Sequence, residues 1–243
     1  WLNLCLPFSL SLLNSEKIKK HKIILYVINF LIIFFILSTN SRNALIGLLI
    51  CLLFTYGIRK LIYFSFFIFL GFFLFNFLIP DILNLSDSYL LNKLLNIDLN
   101  FDYPRIKIWS KVIFFISQKP ISGWGPGSMP YVTMFFPPFQ NYQHTHNMIF
   151  ELAYNFGIPL AIFVLSSILL ILQRSYKKTN SLKKSTLNYA SCKSFIISFS
   201  IFLFSHLSDV TYYDGKISIL FSILLASLVK INDQGNPQEG SNY

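Results

Sequence analysis

Four short stretches of this chain carry residues that apolar packing does not call for. The first, Ser38-Thr39-Asn40-Ser41-Arg42-Asn43, ends in an arginine at the mouth of an apolar run. Arg42 reads there either as an anchor, since a long cationic side chain snorkels cheaply at a membrane edge, or as a ligand for an anion. The second is a helix start at Asp102-Tyr103-Pro104-Arg105, with Asp102 as N-cap and Pro104 in the first turn. The third, Gly123-Trp124-Gly125-Pro126-Gly127-Ser128, is either a plain turn or a nest. In the nest, Gly123, Gly125 and Gly127 let backbone N–H groups face an anion. The fourth is His144-Thr145-His146-Asn147, after which Asn147, Glu151 and Asn155 follow at four-residue steps along one helix face. Such a stripe in an apolar segment faces protein or a water-filled cavity, not lipid. Glu151 either lines a site or hydrogen-bonds neighbouring helices. His146, beside that stripe and on the side of the chain that presents both arginines, is a site candidate.

The elements that must hold these residues are set by composition. Of 243 residues, 54% are hydrophobic and only 12% are charged, against about 25% charged in an ordinary soluble domain. Apolar blocks near the ~20 residues needed to cross a bilayer recur along the chain. Disordered, collagen-like, disulfide-scaffold and nucleic-acid-binding classes fit poorly. The net charge of +10 sits in short loops between apolar blocks. The expected fold is all-α, a polytopic transmembrane helix bundle of about six full spans plus a truncated first. The spans are read at Ile23–Leu37, Ala44–Ile58, Leu61–Ile79, Met148–Leu172, Phe195–Leu207 and Ile217–Val229, the last two being short. The chain opens at Trp1 in mid-apolar segment, with Leu2–Leu13 as the end of a span, and reads as a single membrane domain truncated at its N-terminus. Cys5, Cys51 and Cys192 lie far apart with no metal-ligand spacing. Residues 231–243 are polar and are expected to be a disordered tail.

Charge gives direction. Lys17, Lys19, Lys20 and Lys22, then Arg59 and Lys60, then Arg174, Lys177, Lys178, Lys183 and Lys184 all fall on one side if the spans alternate. By the positive-inside rule that side is the cytoplasm. The other side then holds Arg42, a long segment over 81–145, and the loop carrying Asp209 and Asp214, which read as caps or solvated charges. Within the long segment, Ile106, Trp109, Val112, Ile113 and Ile116 recur at helical spacing until Pro120. They describe an amphipathic helix lying on the outer membrane surface or against the bundle.

Ser41-Arg42-Asn43-Ala44, Arg105 ahead of Ile108-Trp109, Pro120-Ile121-Ser122-Gly123-Trp124-Gly125-Pro126-Gly127-Ser128, and His146-Asn147 followed by nine residues and Gly157 resemble the O-antigen ligase/polymerase family over roughly Ser38 to Lys216. The second glycine usual shortly after Gly157 is replaced by Pro159, Leu160 and Ala161. The resemblance implies a membrane glycosyltransferase at the periplasmic face of the bacterial inner membrane. Its donor would be an undecaprenyl-diphosphate-linked oligosaccharide, and its acceptor a glycan or lipid A-core. Arg42 and Arg105 would hold the donor diphosphate, and His146 would assist the acceptor hydroxyl as general base, with Gly123, Gly125, Gly127, Asn147 and Glu151 as possible support. Guanidinium forks suit phosphate oxygens, and neutral imidazole accepts a proton near neutral pH. No Asp-x-Asp or clustered Asp/His set appears, so transfer without metal or cofactor fits the pattern. Membrane lipids and other polysaccharide-assembly proteins are the further partners implied.

Two rivals stand beside this reading. A transporter or channel, for example of a small anion such as bicarbonate, would place charges mid-span along a through-path. Glu151 alone approaches that depth, whereas Arg42, Arg105 and His146 share one face. A helix-packing subunit would tolerate loss of His146 and Arg105.

Overall fold

The computed structural model describes residues 2–13, 22–39, 41–60, 62–63, 104–135, 143–183, 186–208 and 215–233, and these form helices and turns without a strand. Leu61–Ile79, apart from Ile62 and Tyr63, lies outside the described residues. So do Asp102, Lys17, Lys19, Lys20, Asp209, Asp214, the stretch 81–103 and the tail after 233.

Three apolar helices precede the long segment: α1 (Leu2–Leu13), α2 (Lys22–Ser38) and α3 (Arg42–Tyr56). Ser41 starts α3 with extended backbone and a hydroxyl that accepts from the Ala44 N–H, and Gly57 ends it at φ 80°. Next come α4 (Pro104–Gln118), α5 (Met129–Met134) and α6 (Met148–Phe156). Then follow α7 (Ile158–Ser181), α8 (Leu187–Ser205) and α9 (Gly215–Asp233), among the described residues the three helices long and apolar enough to cross a membrane.

The α8 helix is the hub. Half of its membrane-length window is buried, against 17% in α7 and α9. One of its faces packs Ile197 and Ile201 against Leu6 and Leu10 of α1, Ile36 of α2 and Cys51 of α3. The other packs Ile196, Phe199 and Phe202 against Ile168 of α7 and Leu224 and Leu228 of α9. Its serines are satisfied by neighbours: Ser198 donates to the Leu4 carbonyl at 2.7 Å, and the Ser11 and Ser194 hydroxyls meet at 2.5 Å. Small polar side chains of this kind let helices approach closely and join them where water is absent. Gly47 does the same on α3, where any side chain would run into Asn3 and Ile201.

The structure corrects the expected boundaries. A single span over Met148–Leu172 is in fact two helices, because Gly157 adopts φ 86°, ψ 162°, a conformation essentially reserved for glycine. The spanning-length helix therefore begins ten residues later than the apolar run, with Pro159 in its first turn, where a missing N–H costs nothing. The helices α8 and α9 extend beyond their apolar cores to 19 residues each, since neighbours absorb their polar ends. Lys193, for example, reaches the Thr55 carbonyl. Ile231 is buried in α9 and is not part of a tail. On α4 the packed stripe is Ile108, Val112, Phe115 and Ile116, leaving Ile106 and Ile113 exposed, so the helix is rolled from its expected face to pack on α6.

Gly57 and Gly157 form a matched pair, with nearly identical backbone angles. A Cβ at Gly57 would meet open space, whereas one at Gly157 would overlap the Ile121 carbonyl oxygen. Gly57→Ala is expected to cost only the backbone strain, about 1–3 kcal/mol. Gly157→Ala should cost that and the docking of the 120–125 loop as well. Thermal midpoints in detergent test this, and equal shifts for the two variants would refute the packing role of Gly157.

Candidate functional site

The site is built around a short helix with both ends held from outside. The nine residues of α6 lie between Asn147, its N-cap, and Gly157. Asn147 Oδ1 accepts from the Ile149 and Phe150 N–H groups at 2.9 and 3.2 Å, while its Nδ2 donates to the Leu207 carbonyl at 2.8 Å. The Met148 N–H donates to the His206 carbonyl at 2.9 Å. The start of α6 is thus tied to the turn that ends α8.

Residue 146 stands just before this cap. His146 has φ 55°, and among the described residues it is the non-glycine with positive φ. Holding a side-chain-bearing residue there costs of order 1–3 kcal/mol and persists only where neighbours over-determine it. Thr145 provides much of that constraint, and no part of it is exposed. Its N–H donates to Glu151 Oε2 at 2.9 Å, and its carbonyl accepts from the Trp109 indole at 2.9 Å. Its hydroxyl donates to the Asn147 carbonyl at 2.8 Å and accepts from the Asn147 N–H at 3.3 Å. Glu151, 2% exposed, also accepts from Asn155 Nδ2 at 3.1 Å through Oε1. The expected stripe of Asn147, Glu151 and Asn155 does face protein, but Asn147 serves as the cap and not as part of the helix face.

Both arginines sit on elements that meet this turn. Arg42 opens α3 and is exposed. The next residue, Asn43, accepts from the Ser208 hydroxyl at 2.8 Å, one residue beyond the Leu207 carbonyl that holds Asn147. Arg105 is exposed in the first turn of α4, one helical turn before Trp109 and therefore on the face whose indole reaches Thr145. The arginines and the histidine thus belong to three helix starts gathered at one end of the bundle. A cleft of about 280 Å³ opens at the residue after Arg42, lined by Asn43, Ala44, Phe202, Ser205 and His206 among others, and not by either arginine or His146. An apolar groove of about 270 Å³ leads away between α7 and α8 from Met148 and Leu207.

The glycine-rich loop lies at the other end of α6. At 1.5 Å rise per residue, nine residues separate it from His146 by about 14 Å. Its amides are also engaged: Gly123 N–H donates to Lys119, Trp124 N–H to Tyr154 at 2.8 Å, and Gly125 N–H to Asn155 at 3.0 Å. In return the Pro120 carbonyl accepts the Ile158 N–H at 2.7 Å. The loop therefore caps α6 and starts α7. Gly123 and Gly125 act as scaffold, with Gly123 pressed against the Asn155 backbone, where a Cβ would sit at 2.6 Å. Gly127, at φ 71°, lies further along the same loop, whose Ser128 donates to the Gly125 carbonyl. Trp124 braces this end by stacking on Tyr154, by donating to the Phe115 carbonyl, and by lying under the Lys119 ammonium.

Sequence reasoning passed over Thr145 and His206. Thr145 has a detectable signal, a glutamate four residues after an Asn cap, close to the reach-back pattern of a capping box. His206 has none: it sits inside an apolar run, is 3% exposed, stacks on Phe202 and places its Nδ1 2.8 Å from the Phe202 carbonyl.

The O-antigen ligase (Wzy_C) family model matches residues 27–180, from within α2 almost to the end of α7. The chain belongs to the O-antigen ligase family. No curated protein and no solved structure matches it. Membership brings ligase- or polymerase-type function, a lipid-linked glycan donor and a glycan acceptor, and the apolar helices fit a membrane enzyme of polysaccharide biosynthesis. The family match contains Arg42, Arg105, the glycine loop, the His146 turn and α6. It stops short of His206 and Leu207, which hold the front of α6.

The two functions of Asn147 can be separated. Asn147→Ser keeps a cap and loses the Leu207 anchor, at an expected cost of about 1 kcal/mol. Asn147→Ala loses both and should cost about 2 kcal/mol. Hydrogen exchange at the Ile149 and Phe150 amides should rise in the alanine variant only, and equal exchange in the two would contradict the cap assignment.

Proposed function

We propose that this O-antigen ligase family member transfers an undecaprenyl-diphosphate-linked glycan to a glycan acceptor at the periplasmic face of the inner membrane. Polymerisation of surface polysaccharide is favoured slightly over ligation to lipid A-core. The observation that carries the reading is the convergence of Arg42, Arg105 and the strained His146 turn at one end of the bundle. Neutral His146 takes the proton of the acceptor hydroxyl as that oxygen attacks the anomeric carbon. The bond from the anomeric carbon to the diphosphate oxygen breaks, and the leaving diphosphate gathers negative charge. Arg42 and Arg105 stabilise that charge with bonds to phosphate oxygens that strengthen in the transition state. Attack opposite the leaving group inverts the anomeric centre. The apolar groove starting at Met148 and Leu207 gives the isoprenoid chain of the donor a surface beside the reacting centre. Glu151 has a protein partner at each carboxylate oxygen, which argues against the transporter reading in which it would line a path.

The test is a comparison of lipid-linked and finished glycans in the organism's own cells, between the wild-type chain and His146→Ala. Removing a general base should slow transfer by about 10²–10⁴-fold. Loss of the length ladder with accumulation of single lipid-linked repeats identifies a polymerase, and long glycan stranded on its lipid carrier identifies a ligase. Unchanged glycans from a normally inserted variant would overturn the reading.

Arg42→Ala and Arg105→Ala should each reduce transfer by roughly 10- to 100-fold, corresponding to loss of a charge-assisted bond of about 1.5–3 kcal/mol. The assay is initial rate with purified enzyme and lipid-linked donor. A rate unaffected by either change would remove that arginine from the diphosphate site.

A further inference from the structure

We infer that Glu151 is the positioning residue for His146, acting through the Thr145 peptide and not through substrate; this rests on the reading of His146 as the base. Three observations lead there. His146 occupies a left-handed backbone conformation that its own side chain disfavours, so something nearby must hold it. Thr145, the residue before it, is fully buried, and its N–H ends on Glu151 Oε2. Glu151 is itself 2% exposed, and its second oxygen accepts from Asn155. The carboxylate therefore sits behind the turn with an oxygen on each of two protein donors, and its place is at the hinge of the histidine.

What this location requires is an acceptor of the right length. A glutamine keeps one oxygen for the Thr145 N–H, and its NH₂ then faces Asn155, whose amide can rotate to present Oδ1. A leucine fills similar space but leaves a buried N–H unsatisfied, and the turn then relaxes to recover a partner. Were Glu151 instead an acid, a base or a charged contact for substrate, glutamine would fail as badly as leucine.

The experiment uses the full chain, purified, with its own lipid-linked glycan repeats as donor. Glu151→Gln is expected to retain activity within about 3-fold, and Glu151→Leu to lose at least about 30-fold at unchanged donor KM. Combined with His146→Ala, Glu151→Leu should add less than about 2-fold, because a residue that works through His146 is silent once the imidazole is gone. An activity-independent readout is the rate at which diethylpyrocarbonate modifies His146, followed by mass spectrometry of its peptide. Glu151→Leu should change that rate and Glu151→Gln should not, with thermal midpoints measured on the same samples. Loss of activity in Glu151→Gln equal to that in Glu151→Leu overturns the inference. So does an undiminished leucine effect in the His146→Ala background, or His146 reactivity indifferent to both changes. Full activity of His146→Ala alone would instead sink the assignment of the base, a separate failure.

Discussion

Everything at the polar end of this bundle hangs on one backbone torsion, the left-handed φ of His146. An L-residue leaves that region unless its neighbours are fixed on both sides. Here they are. The N–H and hydroxyl of Thr145 are spoken for by α6 and its cap, and its carbonyl by Trp109 of α4. Asn147 is held to its own helix by its side-chain oxygen and to α8 by its side-chain nitrogen. The strain is local, but the restraints come from α4, α6 and the end of α8, so the geometry of one imidazole depends on three helices being packed correctly.

The same logic gives α6 its length. The helix has a cap residue at one end and a glycine break at the other, and each makes contacts outside the helix. At the front the contacts are carbonyls at the end of α8, and at the back they are the backbone of the glycine-rich loop. One residue more or less would turn Asn147 by about 100° relative to Gly157 and detach one of the two. The sequence spacing from His146-Asn147 to Gly157 is therefore a structural distance, a rigid strut between the loop that α4 carries and the turn that α8 offers.

How much of this can be read from the residues alone depends on whether the signal is local. The helices α2 and α3 are legible as apolar runs, but the span read at Ala44–Ile58 misses the start that Ser41 caps and runs through Gly57, where α3 ends. The Glu151–Asn155 face is legible by period and is buried, whereas Asn147, read as part of it, is the cap before the helix. The broken helix at Gly157 is missed because hydropathy runs straight through it, although a positive φ and the close contact with Ile121 both demand glycine there. The glycine loop stays open between a plain turn and a nest on sequence alone. Positive φ at Gly123, Gly125 and Gly127 is what a nest needs, but the Trp124 and Gly125 N–H groups donate to carbonyls of α6 and that of Gly123 to Lys119, which no local pattern announces. His206 and Leu207 act through backbone oxygens, and a backbone oxygen leaves no trace in residue type.

The end of α8 lies beyond residue 180, where the family match stops, yet it supplies the acceptors for Met148 and Asn147. Sequence similarity therefore draws its border through the middle of a mechanical unit. The recognisable part carries the side chains proposed to react, and the part beyond it carries the bracket that holds their turn. Because that bracket is made of main chain, its composition is free to drift as long as a helix ends at the same height. Grafting of residues 27–180 between distant homologues should accordingly carry the end of α8 along with them.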